Sequence, residues 1–305
     1  MNYAQLLFPD FSLILIGYLV CRYTALNRTV WLQVESLVYF LLFPVLLFQS
    51  IVKTPLDLNA ASSLIMAGVT MGMAAIGLSY MLPHLPWLRR HIDVRDHAAS
   101  AQVAFRFNSF IALALADKLA GAQGLQLIAV LIGVCVPLCN VGAVWPMARH
   151  AQSGLLRELA RNPLIMATGG GLIANVLGFH LPAWIEPTTT TRIGAAALAL
   201  GLMAAGAGMQ LSSLGSGKTL AVSVLTIRHL AQPLIALCLS RVFGLTPVQT
   251  TVLLAFAALP TASSCYVLAA RMGYNGAYVA GLVTLSTVLG IASLWLSLGV
   301  LPMLR

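Results

Sequence analysis

The chain has 305 residues, 59% of them hydrophobic and only 8% charged, with a mean hydropathy of +0.90. Soluble domains carry about 25% charged residues, so the composition excludes a water-soluble domain and implies an all-α polytopic membrane protein embedded in the lipid bilayer. The net charge of +9 does not point to nucleic acid, because the Lys and Arg residues sit in connectors, where orientation and anionic headgroups account for them.

At about 30 residues per span and loop, the chain holds about ten transmembrane helices. The first is expected at 6–21, with Pro9 near its start. It lacks a basic preceding region and a small-residue cleavage site, so it reads as a retained span rather than a signal peptide. The second, 34–52, contains Pro44, which removes a backbone donor and kinks the helix. The third, 60–82, is rich in Gly, Ala, Ser and Met, residues that let helices approach closely in lipid.

The fourth span, 98–118, carries Arg106 and Asn108 near its middle, with Gln102 and Ser109 beside them. A guanidinium in hydrocarbon costs roughly 2.5–3.5 kcal/mol on insertion scales. Such a residue persists where it faces a partner, water or a bundle interior. Two readings follow: a solute site at membrane depth, or a structural Arg bonded to a neighbouring helix. The fifth span, 125–147, contains Pro137 and Asn140; residues 148–162 read as an amphipathic surface helix on the cytoplasmic side.

The sixth span is expected at 163–179, the seventh at 193–211, the eighth at 219–240 and the tenth at 277–300. The eighth carries Arg228, His229 and Pro233. The ninth, 247–270, carries Pro260, Thr261, Ser263 and Ser264. Ten Lys and Arg residues fall in one set of alternate connectors and five in the other, which makes the richer side cytoplasmic and puts both termini on the other side.

Ten spans divide into two five-helix repeats, 1–147 and 163–305, joined by 148–162. An odd number of spans per half forces opposite orientations, the layout of an inverted-repeat transporter. The polar fourth span of each half marks the expected binding site.

The five cysteines all lie in or at the edge of apolar spans and read as buried free thiols. No cofactor or metal site is expected, and no nucleophile–base set argues for an enzyme. The run Gly215-Ser216-Gly217-Lys218-Thr219 lacks the first glycine of a phosphate loop. Asn27-Arg28-Thr29 is a glycosylation pattern on the expected cytoplasmic side. No acidic residue is expected deep in a span, which disfavours a carboxylate proton relay or a charged sodium site.

Several polar segments resemble one family. They are Arg106-Phe107-Asn108, Asn162-Pro163, Leu259-Pro260-Thr261-Ala262, Leu268-Ala269-Ala270 followed by Met272-Gly273-Tyr274, and Ser286-Thr287. In order and spacing the chain is similar to the auxin efflux carrier family, bacterial relatives of plant auxin exporters. The resemblance implies a bile acid:sodium symporter-like fold with a panel domain and a transport domain, and with spans 4 and 9 broken and crossing. It also implies residence in a bacterial inner membrane. One departure stands out: Ala112-Leu113-Ala114 replaces the family's Gly-Leu-Pro, so nothing there dictates a break in span 4.

The expected function is a secondary transporter, a permease or efflux carrier, for small organic anions such as carboxylates. Arg106 binds the carboxylate bidentately. Asn108, Ser109, Thr261, Ser263 and Ser264 hydrogen-bond the rest of the ligand, beside the chain break at Pro260. For the hydroxyls, interhelical packing is the alternative. Arg228 is either a second anion ligand or a cap on broken-helix carbonyls; His229 is either a proton carrier or a structural residue. The rival functions are a sodium-coupled bile-acid-type symporter and a membrane ligand sensor that does not transport. The small-residue faces of spans 3 and 7 are compatible with packing within one chain or in a homodimer.

Overall fold

The computed structural model describes residues 3–52, 62–150, 163–179, 191–208, 217–262 and 264–300. Every regular element among them is helical. Among the described residues five stretches are long and apolar enough to cross a membrane: Arg28–Leu46, Ser62–His84, Val130–Ala148, Lys218–Val242 and Gly276–Gly299. Of the expected surface helix at 148–162, residues 148–150 belong to the long helix that ends at His150, and the rest lies outside the described residues, as do residues 180–190 after the sixth span.

Helix α1 (Tyr3–Tyr23) is followed by α2 (Arg28–Leu37). The second span therefore starts six residues earlier than the hydropathy pattern suggests. The cause is Asn27, whose side chain accepts hydrogen bonds from the Thr29 and Val30 N–H groups and caps the helix. The earlier start carries Glu35 from the edge of the expected span to the eighth residue of the helix, where it is buried, which corrects the expectation that no acidic residue lies deep in a span. A π-turn, Val38–Leu42, leads into α3 (Phe43–Val52). Pro44 cannot donate to the carbonyl four residues back, and the widened turn just before it takes up the mismatch.

Helix α4 is Ser62–Met81, and α5 is the short Val94–Ser100, continued by a 3₁₀ turn over Ala101–Ala104. The chain then leaves helical geometry until α6 (Ser109–His150), which is itself bent at Ala120 and Gly121, the glycine at φ +56°. The second half contributes α7 (Pro163–Val176), α8 (Thr191–Ala207) and α9 (Lys218–Thr226). A π-turn, Ile227–Ala231, precedes Pro233 at the start of α10 (Gln232–Val242). Helix α11 (Pro247–Ala258) opens on a capping box between Thr246 and Gln249. It stops at Leu259, and the chain resumes as α12 (Ser264–Arg271) and α13 (Gly276–Trp295).

Two sets of helices pack around these breaks. Helix α1 lies along α8, and α3 crosses both α7 and α8. Helices α4, α6, α10, α11 and α13 pack on one another and enclose α5, α12 and the irregular segments. The enclosed core is lined by fully buried small and aliphatic residues, among them Ala99, Ala104, Leu115, Leu131, Val252, Leu253 and Val267.

Pro260 is seated by a close approach. A Cβ added to Gly290 on α13 would come within 2.5 Å of the Pro260 Cγ atom. Gly290→Ala is therefore expected to destabilise the protein by about 1–3 kcal/mol, the usual cost of overpacking a tight core, read as a lower melting temperature of the purified protein. An equal melting temperature would mean that the Pro260 loop yields freely.

Candidate functional site

The two irregular segments meet. The Asn108 N–H donates to the Pro260 carbonyl at 3.0 Å, so the break after α5 and the break after α11 are hydrogen-bonded to each other. The Phe107 and Phe256 rings pack at the same point with centroids 4.3 Å apart. A break in the fourth span thus occurs without Pro or Gly at 112–114. It is set by the tightened 3₁₀ turn and by Asn108, whose Oδ1 accepts from the Ile111 N–H at 3.3 Å and caps the start of α6. Asn followed by Ser at the head of an apolar run was the sequence signal for it.

Arg106 is buried at the crossing. One Nη donates to Gln102 Oε1 at 3.1 Å and the other to Asn140 Oδ1 at 3.0 Å. Both acceptors are neutral amides. Gln102 in turn donates to the carbonyls of Ala99 and Cys265, the second at 3.1 Å, and so ties the first break to α12.

Arg228 is 1% exposed and faces the other end of the crossing. In a continuous helix the residue at 260 would donate to the Phe256 carbonyl, and proline cannot. Arg228 takes the vacated position: Nε donates to Leu259 O at 2.7 Å and an Nη to Phe256 O at 3.5 Å. Its other Nη donates to Gln232 Oε1 at 2.9 Å, and the Gln232 amide donates across to the Ala104 carbonyl of the first break. Of the two readings for Arg228, the hydrogen bonds are those of the carbonyl cap.

His229 Nε2 lies 2.8 Å from Ser286 Oγ, which also accepts the Thr261 N–H at 2.9 Å. Among the described residues its buried Nδ1 has no hydrogen-bond partner. The carbonyl of His229, which Pro233 leaves without its helical donor, accepts from Ser293 Oγ at 3.2 Å. Thr261 is buried, with Oγ1 3.5 Å from Cys265 Sγ. Ser109 and Ser264 are half-buried at the first positions of α6 and α12. Ser263 lies outside the described residues.

Sequence reasoning missed two groups. Gln232 sits four residues after Arg228, on the same helix face, and that spacing was readable. Glu35, Arg28 and Tyr266 form the second. Tyr266 and Arg28 both donate to Glu35 Oε1, and Arg28 also donates to the Tyr266 hydroxyl at 2.7 Å. This cluster joins α2 to α12 across 231 residues of sequence; the 231-residue gap left no local pattern to find. Gly208, just beyond α8, leaves room for the Tyr266 ring. Further out, Arg95 donates to the Gly273 carbonyl at 3.0 Å and Tyr274 to the Met147 carbonyl at 2.7 Å, which pins the loop after α12 to α5 and α6. Among the described residues no group of three or more His, Cys, Asp or Glu side chains gathers as a metal site would need.

A family model described as membrane transport protein matches residues 144–298, just over half of the chain. The chain belongs to this family, that of the auxin efflux carriers. It is a family of membrane transporters, not of enzymes, and the apolar helices accord with an integral membrane protein. The match includes Arg228, His229, the Pro260 break and Ser286. Comparison with curated proteins gives no match.

Two substitutions probe the geometry. Gln232→Leu strips an acceptor from buried Arg228 and a donor from Ala104 O, and is expected to cost about 1.5–3 kcal/mol. Tyr266→Phe keeps the ring and removes the hydroxyl between Glu35 and Arg28, at an expected cost of about 1 kcal/mol. Both are read by thermal melting of the purified protein, and an unchanged melting temperature in either would show that the hydrogen bonds do not contribute.

Proposed function

We propose that this membrane transporter is a permease or efflux carrier for small organic anions, carboxylates foremost, with Arg106 as the charge that receives them. One observation carries the reading. Among the described residues no carboxylate pairs with Arg106, although the side chain is only 6% exposed. A buried cation held only by two neutral amide oxygens is incompletely compensated, and a carboxylate supplies what they lack. The N-terminal ends of α6 and α12 start at the same crossing, and their positive ends favour an anion there.

The ligand's remaining polar atoms fall to Asn108, Ser109, Thr261, Ser263 and Ser264. Arg228 and His229 serve the frame: the guanidinium engages α11 and Gln232, and His229 Nε2 engages Ser286. Ten spans in two inverted repeats give the crossing its place at the bilayer midplane, with the Lys- and Arg-rich connectors in the cytoplasm of a bacterial cell.

Alternating access is elevator-like in this reading. The support is that hydrogen bonds from Asn108, Gln102, Gln232 and Arg228 bind the two breaks to each other. The crossing then travels as one body past the α1, α3, α7 and α8 group. No coupling ion is required for export, since an inside-negative potential contributes about 2.3 kcal/mol per charge per 100 mV in that direction.

The test is efflux of labelled dicarboxylates and aromatic carboxylates from proteoliposomes under an imposed potential. Wild-type protein is expected to give potential-driven efflux that does not need sodium, and Arg106→Ala to reduce it at least tenfold. Sodium-driven uptake would establish the symporter instead, and efflux unaltered in Arg106→Ala would remove Arg106 from the site.

A further inference from the structure

The hydrogen bonds of Arg228 describe more than a cap. Three oxygens converge on its guanidinium: the carbonyls of Leu259 and Phe256 and the side-chain oxygen of Gln232. The first two belong to the C-terminal end of α11, the negative end of a helix dipole. Leu259 has left helical geometry, at φ −57° and ψ 146°, so its carbonyl turns out of the helix. An all-oxygen set made of unwound carbonyls and a half-helix C-terminus is what holds a coupling sodium ion in secondary transporters. Hard cations in general prefer such oxygen ligands.

The matching end in the first half is closed differently. Its carbonyls take neutral donors: the Gln232 amide on Ala104 O, and the Cys139 thiol on Phe105 O at 3.5 Å. One of the two interrupted helices is thus closed by a charge and the other by uncharged groups. The charge is covalently attached, 1% exposed, and among the described residues it has no carboxylate partner.

We propose that the oxygen cluster at the end of α11 is a monovalent-cation site that the chain fills with its own Arg228. The tethered guanidinium does what a bound sodium ion would otherwise do: it neutralises the α11 end and, through Gln232, links the Leu259 turn to Ala104 of the first break. It does so without entering or leaving. The site therefore stays closed throughout the transport cycle, and transport carries no sodium requirement. Removal of the guanidinium uncovers a cation site of ordinary type. The inference rests on the transporter reading above for its meaning, but its first test needs no substrate.

The experiment is thermal melting of purified wild type and Arg228→Ala in sodium, potassium, low millimolar guanidinium or choline chloride, at one ionic strength. Arg228→Ala is expected to melt below wild type in choline and to regain several degrees in sodium or guanidinium, because a ligand that binds only the folded form stabilises it by mass action. Wild type is expected to melt alike in all four salts. A variant whose melting is the same in all four overturns the proposal and leaves Arg228 a plain strut. In proteoliposomes the same variant is expected to show efflux that has become sodium-dependent. If the anion class is wrong, the efflux arm is silent for wild type as well, while the melting arm still decides. Should Arg228→Ala fail to survive extraction, Arg228→Ser is compared in native membranes by heat-induced aggregation; protection by sodium supports the site, and equal aggregation in sodium and choline overturns it.

Discussion

The hydrogen bond from the Asn108 N–H to the Pro260 carbonyl is where the rest of the molecule begins. A backbone group that leaves a helix inside a membrane has no water to turn to, and each unsatisfied one costs several kcal/mol. Two interrupted helices solve the problem by crossing, so that one break supplies a donor to the other. The carbonyls that prolines orphan are closed in the same spirit. Phe256 O, which Pro260 cannot reach, accepts from the Leu259 N–H at 3.4 Å and from Arg228, and Ser293 covers His229 O, which Pro233 cannot reach. Irregular backbone survives here because packed neighbours replace solvent group by group.

Three buried or half-buried arginines receive three different treatments. Arg28 pairs with the carboxylate of Glu35 and with Tyr266. Arg228 is wrapped by helix-end carbonyls and one amide oxygen. Arg106 has two amide oxygens. The order of decreasing compensation is also the order from periphery to proposed binding point. A transport site needs a charge held in place by its neighbours yet still short of a counter-ion, and Arg106, with two neutral amide acceptors among the described residues and the start of α6 beside it, is the charge proposed for it.

The linear chain made part of this legible. Composition fixed the class, Arg106 stood out because charge is rare at membrane depth, and Pro260 because Thr261, Ser263 and Ser264 follow it. The resemblance over Leu259-Pro260-Thr261-Ala262 anticipated the break; that Ser286 accepts from the Thr261 N–H came only with the fold. The break at Asn108 was harder to see, because it depends on a side-chain cap and a partner 152 positions away rather than on a local helix breaker. Glu35 was misplaced because hydropathy cannot see that Asn27 starts the helix early. Gln102 and Gln232 read as ordinary polar residues until the fold brought each to the backbone of the opposite half.

The placement of Arg228 also constrains how the protein is made. The span Lys218–Val242 is synthesised with this guanidinium ten residues, about 15 Å, inside its first end. The carbonyls that accept it, Phe256 and Leu259, follow 28 and 31 residues later. Arg28 has no such delay, since Glu35 follows it by seven residues. A lone charge at that depth is costly in lipid, and the cost is relieved only when α11 lies beside α9–α10, so the energetics favour these two spans entering the bilayer together.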